Sequence, residues 1–218
     1  MYLPSQFNST NRSDAIALMR AYPLASLISV DDAGLPFVTH LPLHLQEPAA
    51  NLSGEENWLL LGHVAKANPH WHYLQTRPQA VVTFMGPQAY LSPRVYPDLV
   101  RVPTWNYLAV HCTVQATLID DAKAKDQLLK RLIAEHEPAY AAQWRTLEPD
   151  YQQKMLAAIV GFELRVTDLQ CKLKLNQHRP ESHAKMHEIY ASGNDDGRAL
   201  AAWLERLGLA SPTPIMPV

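Results

Sequence analysis

The chain has 218 residues, 47% apolar and 18% charged, which argues against disorder and leaves room for one large domain or two small ones. Nineteen Lys and Arg against 21 Asp and Glu give a net charge of −2, so composition lends no support to a nucleic-acid-binding surface, which is usually basic. Cys112 and Cys171 lie far apart and outside any CxxC pattern, which argues against a disulfide framework or a thiolate zinc site and suits a reducing compartment.

Residues Met1 to Ser5 carry no basic segment followed by an apolar run. No stretch reaches the roughly 18 apolar residues of a membrane span, so a cytoplasmic protein is expected. Residues 11–22 predict a helix, capped by Asn11 or Ser13, with Asp14 in its first turn and Pro23 as its stop. Leu24 to Val30 reads as a strand, Asp31-Asp32-Ala33-Gly34 as a turn, and Leu35 to Leu45 as the returning strand. A loop to Asn57 is followed by a strand at Trp58 to Val64. A short helix at Ala65 to Gln75 comes next, with Pro69 tolerable only near its start.

Ala80 to Met85 and Ala89 to Ser92 read as two strands flanking Gly86-Pro87. Leu108 to Leu118 is the clearest strand, because Leu108, Val110, Cys112, Val114, Ala116 and Leu118 alternate with more polar residues. Leu128, Leu129, Leu132 and Ile133 recur at helical spacing up to Pro138, and shorter helical stretches continue to Leu156. Strand character returns at Ile159 to Val166 and Leu169 to Leu175. Terminal helices are expected at Pro180 to Ala191 and Asp196 to Leu207, then a proline-rich tail at Ser211 to Val218. Strands with inserted helices, without βαβα alternation, predict one α+β domain built on a β-barrel over residues 1–210.

Three segments carry chemistry. Gly62-His63-Val64-Ala65-Lys66-Ala67-Asn68-Pro69-His70-Trp71 runs from a strand into a helix start, where free N–H groups, Lys66 and His63 could cradle a phosphate; a surface lysine beside a strand-end histidine is the plainer reading. His40 and His44 fall on one strand face and Thr39 on the other. With His63 they suggest a metal, yet no acidic or cysteine ligand accompanies them, and no metal site is expected. Tyr90 to Pro97 and Val102 to Tyr107 form a loop dense in aromatics and prolines, suited equally to a planar ligand, a partner subunit or the core.

Lys172 and Lys174 share a strand face and could meet a phosphate or protect a solvated edge strand. His183 and His187 lack the glutamate of an HExxH site, Ala184 standing in its place, and read as solvated helix residues. No GxGxxG, Walker loop, GxSxG or Cys–His pair occurs, so no catalytic residue is assigned and any enzyme would depend on a cofactor.

Met1-Tyr2-Leu3-Pro4 with Phe7, His40-Leu41-Pro42-Leu43, GHVAKANPHW, GPQAYLSPRVY, VPTWNY and KLKLNQHR follow one another as in the PaiB-like proteins. The chain resembles that family, FMN-binding split-barrel proteins labelled negative transcriptional regulators, from Met1 to about Leu207. The resemblance implies a split β-barrel of the pyridoxamine-phosphate-oxidase type with peripheral and C-terminal helices, holding FMN at the interface of a homodimer. It implies Thr39 and His40 near the FMN and His63, Lys66 and Asn68 at its phosphate end. Trp105 would approach on the PTWNY loop, from the same chain or the partner, and Lys174 and Gln177 would join from the terminal motif. Leu173, Asn176 and His178 depart from the KFKLSQNR-like run of the family. The output implied is negative regulation of transcription, with DNA as a partner that the net charge does not support and no helix-turn-helix signal to read it. An FMN-dependent oxidoreductase and a haem-binding split barrel are the alternatives on the same fold.

Overall fold

The computed structural model describes residues 1–47, 58–98 and 100–210; most of the loop expected before Asn57, and the tail from Ser211, lie outside the described residues. The described strands are β1 (Asn8–Ser9), β2 (Leu24–Val30), β3 (Pro36–Pro42), β4 (His44–Gln46), β5 (Leu59–Ala65), β6 (Gln79–Leu91), β7 (Thr104–Ile119) and β8 (Ile159–Lys174). The helices are α1 (Arg12–Ala21), α2 (His70–Thr76), α3 (Ala122–His136), α4 (Tyr140–Thr146), α5 (Pro149–Ala157), α6 (His183–Ala191) and α7 (Asp195–Arg206). One sheet runs in the order β3-β2-β6-β7-β8-β5-β4, with β1 pairing β8 off that path. The fold is α+β.

The chain divides into two compact units assembled from discontinuous segments, and β6, β7 and β8 each contribute residues to both. One unit comprises Met19–Phe84 and His111–Leu169. In it β2 turns Ala25, Leu27 and Ser29 inward and pairs antiparallel with β3 from Leu24↔Pro42 to Val30↔Pro36. The connecting turn is pinned by Asp31, whose Oδ1 accepts from the N–H groups of Ala33 at 2.9 Å and Leu35 at 2.8 Å, while Gly34 takes the left-handed φ of 79°. β5 pairs antiparallel with β8 from Leu59↔Arg165 to Ala65↔Ile159. Leu27, Leu60, Val82, Phe84, Phe162 and Leu164 are fully buried. Asp121 caps α3 by accepting from the Ala124 N–H at 2.9 Å.

The other unit comprises Met1–Leu18, Met85–Val110 and the described residues from Gln170 onward. Its core includes Leu18, Leu108, Leu175, Met186, Leu200 and Leu204. The buried Asp14 carboxylate accepts from Ser9 Oγ at 2.7 Å and Arg206 Nε at 3.1 Å, tying α1 to α7. Asn194 caps α7 through the Gly197 N–H at 2.9 Å.

Several expected boundaries move. β6 runs unbroken through Gly86-Pro87, because Gly86 marks a close approach and not a stop: a Cβ there would lie 2.5 Å from Leu18 Cδ1 and 3.2 Å from Leu108 Cβ. β8 is likewise one strand, its exposed Thr167 hydroxyl donating to the Thr113 carbonyl at 3.1 Å where polar residues suggested a gap. The strand expected over 35–45 divides at Leu43, whose N–H donates to the Pro23 carbonyl at 2.9 Å; β3 then pairs with β2 and β4 with β5. His40 and His44 therefore do not share one strand. His40 Nδ1 lies 3.0 Å from Ser26 Oγ, and His44 Nδ1 meets the carboxylate of Glu135 on α3.

Candidate functional site

The candidate residues fall in both units. In the unit that contains β3 and β5, Thr39 points inward from β3, and its Oγ1 accepts from Asn68 Nδ2 at 3.2 Å. It also lies 2.8 Å from Nδ1 of His70, the first residue of α2. Asn68 Oδ1 accepts from the His70 N–H at 3.0 Å, so one short turn ties strand, turn and helix together. His40 takes no part, since its side chain leaves the opposite face of β3 and is exposed.

His63 stands on β5 half-buried, with Nδ1 buried and without a hydrogen-bond partner. Burial lowers its pKa, so around neutral pH it is an uncharged imidazole. It borders a pocket of about 330 Å³ whose wall includes Leu129, Leu132 and Ile133 of α3 and Tyr140 of α4. Lys66 follows the end of β5 with an exposed side chain, while its backbone is held on both sides. Its N–H donates to the Ala158 carbonyl at 2.8 Å, and its carbonyl accepts from Trp71 Nε1 at 3.0 Å.

The helix start differs from the expectation. α2 begins at His70, not at Ala65, because Lys66 to Pro69 form a turn. The N–H groups of Lys66, Asn68, His70 and His72 are all spent on the chain itself. The Lys66 cation and the Asn68 side-chain donor are what this turn offers a phosphate beside its remaining backbone N–H groups.

His70 is absent from the residues singled out in the sequence, although it is fully buried. The signal for it was spacing: His70 and Leu74 lie four apart on α2, and both are buried. Burial brings the His70 pKa down to about 4. The unfolded chain takes up this proton near pH 6.5 and the folded one only near 4, so stability is retained above about pH 6.5 and lost as the pH falls toward 4. The loss is bounded at about 3 kcal/mol. Urea melts at pH 7, 6, 5 and 4 are expected to show a shallower decline for His70→Phe than for the natural chain; parallel declines would count against a buried neutral His70.

The second group lies in the other unit. Lys174 Nζ donates to Thr104 Oγ1 and to the Trp105 carbonyl, both at 2.7 Å, and sits 5.8 Å from the Tyr107 ring centroid. Burial lowers its pKa, partly offset by Tyr107 and reinforced by Lys172. Lys172 is buried, donating to the Tyr2 carbonyl at 3.1 Å with the Tyr107 ring 5.1 Å away, so the solvated edge-strand reading fails for it. Trp105 is exposed and meets Tyr90 edge-to-face at 6.3 Å. Gln177 turns back on the chain: its Oε1 accepts from the Leu175 N–H at 3.0 Å and its Nε2 donates to the Leu173 carbonyl. It braces the turn in which Asn176 adopts φ 63°, a value asparagine tolerates better than most residues. His183 is buried and its Nε2 lies 3.0 Å from the Asn176 carbonyl, which overturns its reading as a solvated residue. Among the described residues, no three His, Cys, Asp or Glu side chains are grouped to hold a metal ion.

A family model described as "Putative FMN-binding domain" matches residues 1–168. The chain belongs to this FMN-binding family. This family member is 31% identical to the protease synthase and sporulation protein PAI 2 of Bacillus subtilis (strain 168), over 94% of this chain and 97% of that one. Among solved structures it is similar to the flavocytochrome Anf3 of Azotobacter vinelandii, with a TM-score of 0.59 and 19% identity over 77% of this chain and 69% of that one. It is also similar to the FAD and haem binding protein of Mycobacterium smegmatis, with a TM-score of 0.56 and 20% identity over 77% and 73%. At these identities the two structures establish the split-barrel fold alone. The protein is an FMN-binding split-barrel protein of the PaiB type, and FMN is its cofactor.

The residues present fit that group. FMN asks for a cation at its phosphate, hydrogen-bonding partners along its ribityl chain and pyrimidine edge, and an apolar surface for its rings. Lys66 is an exposed cation on an anchored backbone, and His63 Nδ1 is a buried polar atom lacking a partner. Thr39 and Asn68 are polar side chains already held in fixed orientation. The leucines and isoleucine of α3 supply apolar wall beside His63.

Proposed function

We propose that the protein is a homodimeric regulator of gene expression that carries FMN beside Thr39, His63, Lys66 and Asn68. The observation that carries the cofactor placement is Lys66, exposed at its side chain and fixed at both its N–H and its carbonyl. Lys66 neutralises the phosphate. His63, uncharged, exchanges a hydrogen bond with the polar chain, and Thr39 and Asn68 present oriented groups to the rest. FMN, when bound, supplies one- and two-electron redox chemistry that the side chains here lack. Trp105 and Lys174 belong to the second unit and are proposed to serve the FMN site from whichever protomer brings them near it.

The outward face of β2, β3 and β6 supports the dimer. Ile28, Val38 and Val81 form one cross-strand row on it, flanked by Val30 and Leu24, which are 45% and 65% exposed. Exposed apolar surface of this kind favours cover by another chain, and a twofold axis would use the patch twice. The regulatory reading rests on the Bacillus subtilis relative, whose name ties it to protease synthesis and sporulation. The net charge of −2 points to regulation through a partner more than to direct DNA contact.

An absorbance spectrum of the purified protein before and after adding FMN, taken with its mass in solution, tests the first part. Flavin bands on a particle of twice the chain mass are expected. A colourless protein that ignores FMN, or a single-chain mass, removes the corresponding claim. Anisotropy titrations against genomic and random DNA at several salt concentrations test the second. Preference for a genomic fragment that survives added salt would establish direct contact, which this charge does not predict.

A further inference from the structure

We infer that His70 is a positioning residue of the flavin site, acting through Thr39 to fix which hydrogen bonds the site offers. The inference rests on the proposed placement of FMN beside Thr39 and Asn68. Three hydrogen bonds in series link Asn68, Thr39 and His70.

Asn68 Oδ1 accepts from the His70 N–H at 3.0 Å. That contact settles the amide, so Nδ2, a donor, faces Thr39 Oγ1 at 3.2 Å. Thr39 Oγ1 thus already accepts one bond and has a single proton to give. The nitrogen that receives it is His70 Nδ1, 2.8 Å away. Nδ1 is then the bare nitrogen of the ring and Nε2 carries the hydrogen. The opposite tautomer would make Oγ1 accept twice and leave its own proton with no acceptor in this network.

The cost of this arrangement is visible at the far side of the ring. His70 Nε2 is buried without a hydrogen-bond partner, and the ring stands edge-to-face with Phe37 at 5.1 Å. A leucine or phenylalanine would avoid an unpaired buried donor among these aromatics. What the imidazole adds, and they would not, is an acceptor for Thr39. With its proton committed to Nδ1 and one lone pair to Asn68, Oγ1 keeps one lone pair and offers it as an acceptor only. Asn68 Nδ2 keeps one unused N–H. The site therefore presents an acceptor beside a donor, and the matching ligand edge carries an N–H or O–H next to a carbonyl or hydroxyl oxygen, as flavin and its ribityl chain both do.

The test is a set of FMN dissociation constants, read by quenching of flavin fluorescence, with circular dichroism and thermal midpoints as folding controls. Thr39→Val and His70→Phe are each expected to weaken FMN by about tenfold, the loss of one hydrogen bond. Thr39→Ser, which keeps the hydroxyl, should stay within about twofold. His70→Asn, whose amide oxygen can replace Nδ1, should stay within about threefold. The double variant Thr39→Val/His70→Phe should be no weaker than Thr39→Val alone, because the two side chains act as one unit.

If Thr39→Val leaves FMN binding unchanged, the cofactor is not beside Thr39, and the placement fails together with this inference. If Thr39→Val weakens FMN while His70→Phe does not, or if the two penalties multiply, the placement stands and the positioning role is overturned. Should His70→Phe not fold, His70→Asn decides. Near-natural affinity supports the role, and a tenfold loss in a folded protein overturns it.

Discussion

Reversing the charge at Lys66 is expected to cost this protein its FMN. Lys66→Glu should weaken FMN by about 100-fold or more, Lys66→Ala by about tenfold, and Lys66→Arg by only a few-fold, because hydrogen bonds to charged groups are worth about 1.5–3 kcal/mol and reversal adds repulsion. The loss should come without unfolding. The Lys66 side chain is exposed, and its backbone contacts to Ala158 and Trp71 run through the N–H and the carbonyl, which a substitution retains. The neighbourhood is already sensitive to this charge. Asp120 is held below the usual carboxylate range chiefly by the hydrogen bond and charge of Lys125, and Lys66 contributes to the same shift. Fluorescence titrations at low and moderate salt give the measurement. A Lys66→Glu protein that takes up FMN like the natural chain would place the phosphate elsewhere, and the second group around Lys174 would become the leading candidate.

Where period and punctuation agree in the sequence, the fold is legible. β2 has the expected ends because Pro23 and the Asp31-to-Gly34 turn bracket an apolar run. The alternation from Leu108 to Leu118 lies within the longer β7, and α3 carries its leucines at the expected spacing. Punctuation misleads where tertiary packing gives it another use. Gly86 serves a close approach to Leu18 and Leu108, and Asn176 a left-handed turn braced by Gln177. Single-residue events such as the Leu43 contact with Pro23 leave no periodic trace at all.

The site was legible as a segment more than as a geometry. GHVAKANPHW stands out in the sequence, and the structure joins Asn68 to Thr39. Reading outward from composition, however, a histidine counts as a polar residue, and nothing local says that His70 is buried while His40 is exposed. That difference is created by which face of β3 each meets. Thr39 looks inward to α2, and His40 looks outward beside Ser26. Lys172 and Lys174 show the same limit. Their alternation on β8 is plain, but the tyrosine rings and carbonyls that accept them come from residues distant in the chain.

The strand that delivers His63 and leads to Lys66 is set by one packing decision, and breaking it should give the largest loss of stability. Gly62 on β5 pairs with Phe162 on β8. A Cβ on Gly62 would lie 2.6 Å from Leu43 Cδ2, 3.2 Å from Phe162 Cε2 and 3.3 Å from Leu41 Cδ1. The absent side chain at Gly62 thus makes room for three apolar neighbours, and Phe162 is fully buried. Phe162→Ala is expected to lower the unfolding free energy by about 3–5 kcal/mol, the cost of lost contacts plus the cavity left behind. Gly62→Ala in the natural chain should cost about 1–3 kcal/mol through overpacking. Combined, the two should cost less than their sum by about 0.5 kcal/mol or more, because the new methyl group moves into space that the ring has vacated. Urea unfolding followed by tryptophan fluorescence, with slopes compared across the four proteins, measures all three quantities. A Phe162→Ala loss below about 1 kcal/mol, or strict additivity, would show that β5 does not owe its position to this contact. If the coupling is found, FMN affinity should fall with Phe162→Ala and partly recover in the double variant, since His63 and Lys66 are carried by the strand that Phe162 holds.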